Sequence, residues 1–148
     1  MKKAWLWMAL LAGCDDAPPG AGRPSGGHGH AAPHGGALVE LGDHVAQVEI
    51  VVDGKKMTAY VLDGHAEKAV RIEQKELVVH AVPRGAGAPI QARLVAVGSA
   101  LSGEKPGDTS QFEGAFDGPK AWDGLIEAVR VKGLDFKSVK FRYPEGSE

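Results

Sequence analysis

From Leu38 onward, aliphatic residues recur at every second position in short runs, and Gly, Asp or Pro cuts each run off. A period of two belongs to strands, whose successive side chains point to opposite faces of a sheet. Ala46, Val48, Ile50 and Val52 alternate with Gln47, Glu49 and Val51, which predicts a half-buried strand. Asp53-Gly54 follows as a hairpin signal, since both residue types tolerate positive φ. Residues 57–62 read as the return strand, closed by a second turn at Asp63-Gly64. A short strand is expected over 69–72, a longer one over 76–82 stopped by Pro83, and another over 90–96 with Ile90, Ala92, Leu94 and Ala96 on one face. Residues 98–111 are polar and Gly-rich, which predicts a loop, and 112–116 read as a strand near an edge. Residues 125–131 alternate Glu127, Val129 and Val131 against Ile126, Ala128 and Arg130, with a short helical turn around 121–125 as the local competitor. The last run places Val139, Phe141 and Tyr143 on one face. About seven to nine strands with turns roughly every 8–12 residues are the pattern of an all-β, antiparallel two-sheet β-sandwich. An immunoglobulin-like strand order is compatible with it, although the Cys-Trp-Cys pattern is absent. Hydrophobic residues at 43% are enough for a packed core, and 21 Gly with 9 Pro suit a turn-rich domain rather than a helical bundle.

The chain opens differently. Lys2 and Lys3 precede the apolar stretch 4–12, which as a helix would reach only ~14 Å, far short of a bilayer core. A positive start and a short apolar run are the features of an export signal, expected over 1–13. The stretch ends Leu11-Ala12-Gly13-Cys14, which resembles the lipobox of bacterial lipoproteins. That resemblance implies acylation of Cys14, which becomes the mature amino terminus, and anchoring in a lipid bilayer of the bacterial envelope facing the periplasm. Asp15 resembles the inner-membrane retention cue of enterobacterial lipoproteins, and the choice between inner and outer membrane stays open. Multiple acyl chains anchor stably where one would be marginal. Cys14 is also the sole cysteine, which excludes an internal disulfide, a Cys-based zinc finger and a thiol redox pair.

Residues 14–36 form the next segment, a lipidated cysteine followed by a tether. Eleven of the 22 residues 15–36 are Gly or Pro, and none is Val, Ile, Leu, Met or aromatic. Such a stretch has nothing to offset the cost of ordering and is expected to be a disordered spacer of ~25 Å r.m.s. span. The domain is expected over 37–143, and 144–148 read as a polar stub.

Three of the six histidines, His28, His30 and His34, lie in the tether. Imidazole suits Zn(II), Cu(II) and Ni(II), and short His-rich tracts are candidates for binding them. His44 extends this set as a fourth ligand, with Glu40 or Asp43 in support. Cu(I) is disfavoured: with Cys14 acylated and the signal removed, Met57 is the only soft sulfur ligand left. That leaves imidazole sites for Zn(II), Cu(II) or Ni(II), with Zn(II) or Cu(II) as the expected cofactor. His65 reads as a turn-surface residue and His80 as a half-buried strand histidine.

Other chemistries find no support. Net charge is −2, from 17 basic and 19 acidic residues, so no basic field exists for nucleic acid. No Ser sits in a Gly-x-Ser-x-Gly elbow, no His-Glu-x-x-His pair occurs, and the glycine-rich stretches match no phosphate loop. The chain reads as non-catalytic.

Pro33-His34-Gly35-Gly36-Ala37-Leu38-Val39-Glu40-Leu41-Gly42-Asp43 is similar to the opening of small His-bearing periplasmic proteins and of the amino-terminal extensions of heavy-metal efflux adaptors. The resemblance covers about residues 33–63, including Tyr60-Val61-Leu62-Asp63-Gly64. It implies a β-rich envelope domain linked to metal handling, with an envelope or metal-efflux protein as the class of partner. The sequence is not read as containing the coiled-coil hairpin, barrel and lipoyl-like regions of those adaptors, so a full adaptor is not expected. Two readings remain: a lipid-anchored metal-binding or metal-buffering protein, and a protein–protein interaction module whose tether is only a spacer.

Overall fold

The computed structural model describes residues 30–147. The expected signal 1–13, Cys14, His28 and the rest of the tether before His30 lie outside the described residues, as does Glu148.

Eight strands follow in chain order: β1 (Ala37–Leu41), β2 (Ala46–Asp53), β3 (Lys56–Asp63), β4 (Glu76–Pro83), β5 (Ile90–Ala96), β6 (Gln111–Ala115), β7 (Trp122–Val131) and β8 (Leu134–Tyr143). The all-β, antiparallel class is as the alternation implies. The strands do not divide between two stacked sheets, however. They form one continuous sheet in the order β1-β2-β3-β6-β5-β4-β7-β8, and its edges β1 and β8 come together to give a barrel-like shape. Alternation cannot tell these arrangements apart, because a sandwich and a barrel both bury every second residue.

The buried row runs through Val48 and Ile50 of β2, Met57, Ala59 and Val61 of β3, Leu77 and Val79 of β4, and Leu94 of β5. Trp122, fully buried at the start of β7, joins an aromatic cluster, with ring centroids of Phe116, Phe141 and Tyr143 at 5.3, 5.3 and 5.1 Å. Burying each such aromatic contributes about 1.5–3 kcal/mol. Trp122 Nε1 finds no hydrogen-bond partner among the described residues, a local cost that the packing offsets.

Four local expectations need correction. Residues 121–125 make no helical turn, because Trp122 begins β7, paired with Pro83 on one side and Tyr143 on the other. The strand at 111–115 is interior to the sheet, between β3 and β5, where Phe112 pairs with Ala59 and is fully buried. Residues 69–72 make only isolated bridges, Leu62 to Ala69 and Ile72 to Thr109. The alternation in β7 breaks at Glu127-Ala128, both exposed, so that Ile126 and then Val129 and Val131 are buried; Ser138 of the facing strand takes φ +52° at the same level.

The polar end of the chain is structural. Ser147 N–H donates to Leu38 O at 2.9 Å, its hydroxyl accepts from Glu40 N–H at 2.5 Å, and Gly146 bridges to Arg142. Glu145 binds the Arg84 guanidinium through both carboxylate oxygens, at 2.9 and 2.7 Å. These residues close the seam between β8 and β1.

Candidate metal centre at one end of the barrel

The β2–β3 hairpin sets the site. Its register runs from Asp53↔Lys56 at the turn to Ala46↔Asp63 at the far end. His44 lies two residues before Ala46 and His65 two residues after Asp63, so the pairing carries both to the same end of the barrel. Their loops touch: a side-chain carbon on Gly64 would stand 1.9 Å from His44 O, and only glycine allows that approach. Gln47 Nε2, buried on the outer face of β2, donates to Gly64 O at 2.9 Å and fixes the second loop from below.

Asp63 organises the loop that bears His65. Its carboxylate accepts from the N–H groups of Glu67 at 2.8 Å and Lys68 at 3.3 Å. Those backbone donors, Glu67 first, hold the Asp63 carboxyl below the usual range, against the opposing effect of partial desolvation. Asp63 N–H donates to Lys68 O and Ala66 N–H to Asp63 O, with Ala66 at φ +57°. His44 takes φ +54° in the turn between β1 and β2, and Glu40 Oε1 accepts from its N–H at 3.1 Å. Lys132, in the β7–β8 turn, donates to the neighbouring Val45 O at 2.9 Å.

The chain upstream of β1 crosses this region as a strap. Its key is Glu49, whose side chain is fully buried although it belongs to the outward row of β2. Glu49 accepts from His34 N–H at 2.8 Å, Gly36 N–H at 2.9 Å and His34 Nδ1 at 2.7 Å. A carboxylate only accepts, so Nδ1 carries the proton. The His34 ring lies flat on Tyr60, the cross-strand partner of Glu49, with centroids 3.8 Å apart and planes 10° from parallel. Burial, aided by the charge of Glu113, raises the Tyr60 phenol above its ordinary range, with Lys56 opposing. Gly36 lies flush on β2, since an added carbon would be 2.4 Å from Ile50 O.

Among the residues nominated from sequence, His30 and His44 are brought together, with centroids 6.1 Å apart and rings inclined at 83°. His34 is held apart from them by Glu49 and Tyr60, and His28 lies outside the described residues. The carboxylates of Glu40 and Asp43 surround His44, the three offering ligand atoms all within 4.8 Å of one another. His65 joins the cluster, with its centroid 5.5 Å from that of His30 and the rings at 67°. His80 points outward from β4 and meets Glu127 at 3.2 Å. An open cleft elsewhere is lined by Arg71, Arg130 and Lys132, but these already meet Asp108, Asp135 and Val45 O, so their positive ends do not converge on an anion.

Comparison of the chain with protein-family models, with curated proteins and with solved structures finds no match in any of the three.

Proposed function

We propose that this chain is a lipid-anchored protein of the bacterial cell envelope, facing the periplasm, that binds a divalent transition-metal cation, Zn(II) or Cu(II), through imidazoles where its tether meets the barrel. The observation that carries the reading is the packing of His30, from the tether, against His44, from the first barrel turn, beside the carboxylates of Glu40 and Asp43. Imidazole with carboxylate is a donor set for borderline cations, whereas Ca²⁺ and Mg²⁺ take oxygen. The Leu-Ala-Gly-Cys14 motif supports the anchor. The role is non-catalytic: buffering the ion, or passing it to an envelope or efflux protein.

The test is metal content after reconstitution. Full-length protein in detergent is stripped with chelator, incubated with ZnCl₂ and separated from free ion. Stoichiometric retention supports the reading. Retention no greater than that of a His30→Ala/His44→Ala double variant contradicts it and favours the interaction module. Fractionation with Cys14→Ser checks the anchor, which requires wild type in membranes and the variant released or stalled.

A further inference from the structure

Resting on the metal-binding reading above, we infer that the ligands are His30, His44 and His65, one from the strap and one from each of two barrel loops, and that the cation is Zn(II). The tether histidines do not act as a set.

The ring separations come near those of a ligand set, although the group whose ligand atoms already lie within 4.8 Å of one another is Glu40, Asp43 and His44. With Zn–N of about 2.0–2.1 Å and tetrahedral angles, the ring centroids of two ligating histidines lie about 5 Å apart. The His30 centroid stands 5.5 Å from His65 and 6.1 Å from His44, so closing on an ion takes movements of the order of a rotamer adjustment. The inclinations fit as well. Rings at 67° and 83° can aim nitrogens at a common point.

The loops that carry two of the ligands are fastened, so that only side chains need move onto the ion. The loop of His65 is fastened by the Asp63 carboxylate and by Gln47 on Gly64 O. Glu40 accepts from the His44 backbone N–H, and its carboxylate lies 3.5 Å from His44 Nδ1. A carboxylate behind a ligating imidazole fixes its tautomer and raises its basicity. Glu40 is thus a positioning residue, and Asp43, 4.0 Å from His44 Nε2, supplies the fourth ligand directly or through water. Three imidazoles and one oxygen complete the four-coordinate tetrahedral set that Zn(II) takes. His34 is left out of this set because its ring is stacked on Tyr60, whereas the ring of His30 meets those of His44 and His65.

The experiment is calorimetric titration of full-length protein in detergent with ZnCl₂, with folding of every variant checked by circular dichroism. His30→Ala, His44→Ala and His65→Ala should each weaken binding on the order of 100-fold or more, since loss of an outer-shell partner alone costs about 10–100-fold. Glu40→Gln should weaken it about 10-fold on the same basis. His28→Ala and His80→Ala should leave affinity little changed, whereas His34→Ala, which unfastens the strap that carries His30, should weaken it less than loss of a ligand does. His65→Gln, which keeps a polar side chain in the loop, should fail like His65→Ala. Full affinity in the His65 variants together with loss in His28→Ala would overturn the ligand set while leaving metal binding itself intact. Absence of binding by wild type would overturn both.

Discussion

Glu49 offers a measurable consequence of burying a carboxylate under a strap. Replacing it with alanine removes the acceptor for three donors: His34 N–H, Gly36 N–H and His34 Nδ1. Hydrogen bonds to a charged group contribute about 1.5–3 kcal/mol each, and a buried donor left unpaired costs about 1–3 kcal/mol. The strap can lift and rehydrate its donors, which moves the sum to the low end, so Glu49→Ala should cost about 3 kcal/mol. For a domain of this size that lowers the melting temperature by roughly 12 °C. Glu49→Gln keeps an amide oxygen for both backbone donors and loses mainly the charged contact to the ring, so it should cost about 1–1.5 kcal/mol. His34→Ala on top of Glu49→Ala should add much less than it costs alone, because the two residues share one contact. Urea unfolding followed by near-ultraviolet circular dichroism measures wild type and the four variants. Glu49→Ala within about 0.5 kcal/mol of wild type, the ordinary range of an exposed substitution, would refute the account of the strap. So would a glutamine variant as damaged as the alanine one.

Gly64→Ala would drive a methyl carbon to 1.9 Å from His44 O, so it should cost about 1–3 kcal/mol by thermal melt and weaken Zn²⁺ binding by spreading the loops of His44 and His65. Trp122→Ala empties the centre of the aromatic cluster and should cost about 3–5 kcal/mol in a urea titration. Stability should also fall in acid. Glu145 is held from 4.5 to about 2, first by its hydrogen bonds from Arg84, and Glu104 is held low, first by the Ser110 hydroxyl. Carboxylates with folded pKa values below their unfolded ones stabilise fully above the unfolded pKa and lose that contribution as pH falls through the folded one. Urea midpoints should therefore drop between pH 4.5 and about 2, and Arg84→Met should flatten that drop.

How far the sequence discloses this molecule depends on the range of the interaction concerned. The β2–β3 hairpin is legible because its alternation and turn residues are adjacent in the chain. Its register is harder to read. A turn centred on Asp53-Gly54 would pair Val52 with Lys55 and set His44 opposite Asp63. The turn instead centres on Gly54-Lys55, with Gly54 at φ +59° and Asp53 paired to Lys56, and this sets His44 opposite His65. A shift of one residue in the turn thus conceals the third imidazole, and reading register from turn geometry would have revealed it. Closure into a barrel depends on β3 pairing with β6 and β4 with β7, across distances about which local alternation says nothing. Glu49 sits in a polar row that reads as exposed, and only a strap arriving from upstream buries it. That same strap explains why Pro33-His34-Gly35-Gly36 packs against the barrel: the donors that offset the cost of ordering it meet an acceptor on another strand.

The most direct test of the central claim is zinc-edge anomalous diffraction from crystals of the protein loaded with ZnCl₂. The account predicts one strong peak at the barrel end, bonded to nitrogens of His30, His44 and His65 at about 2.0–2.1 Å. A peak placed instead on His34 or His80, or no peak at that end in fully loaded protein, would contradict it.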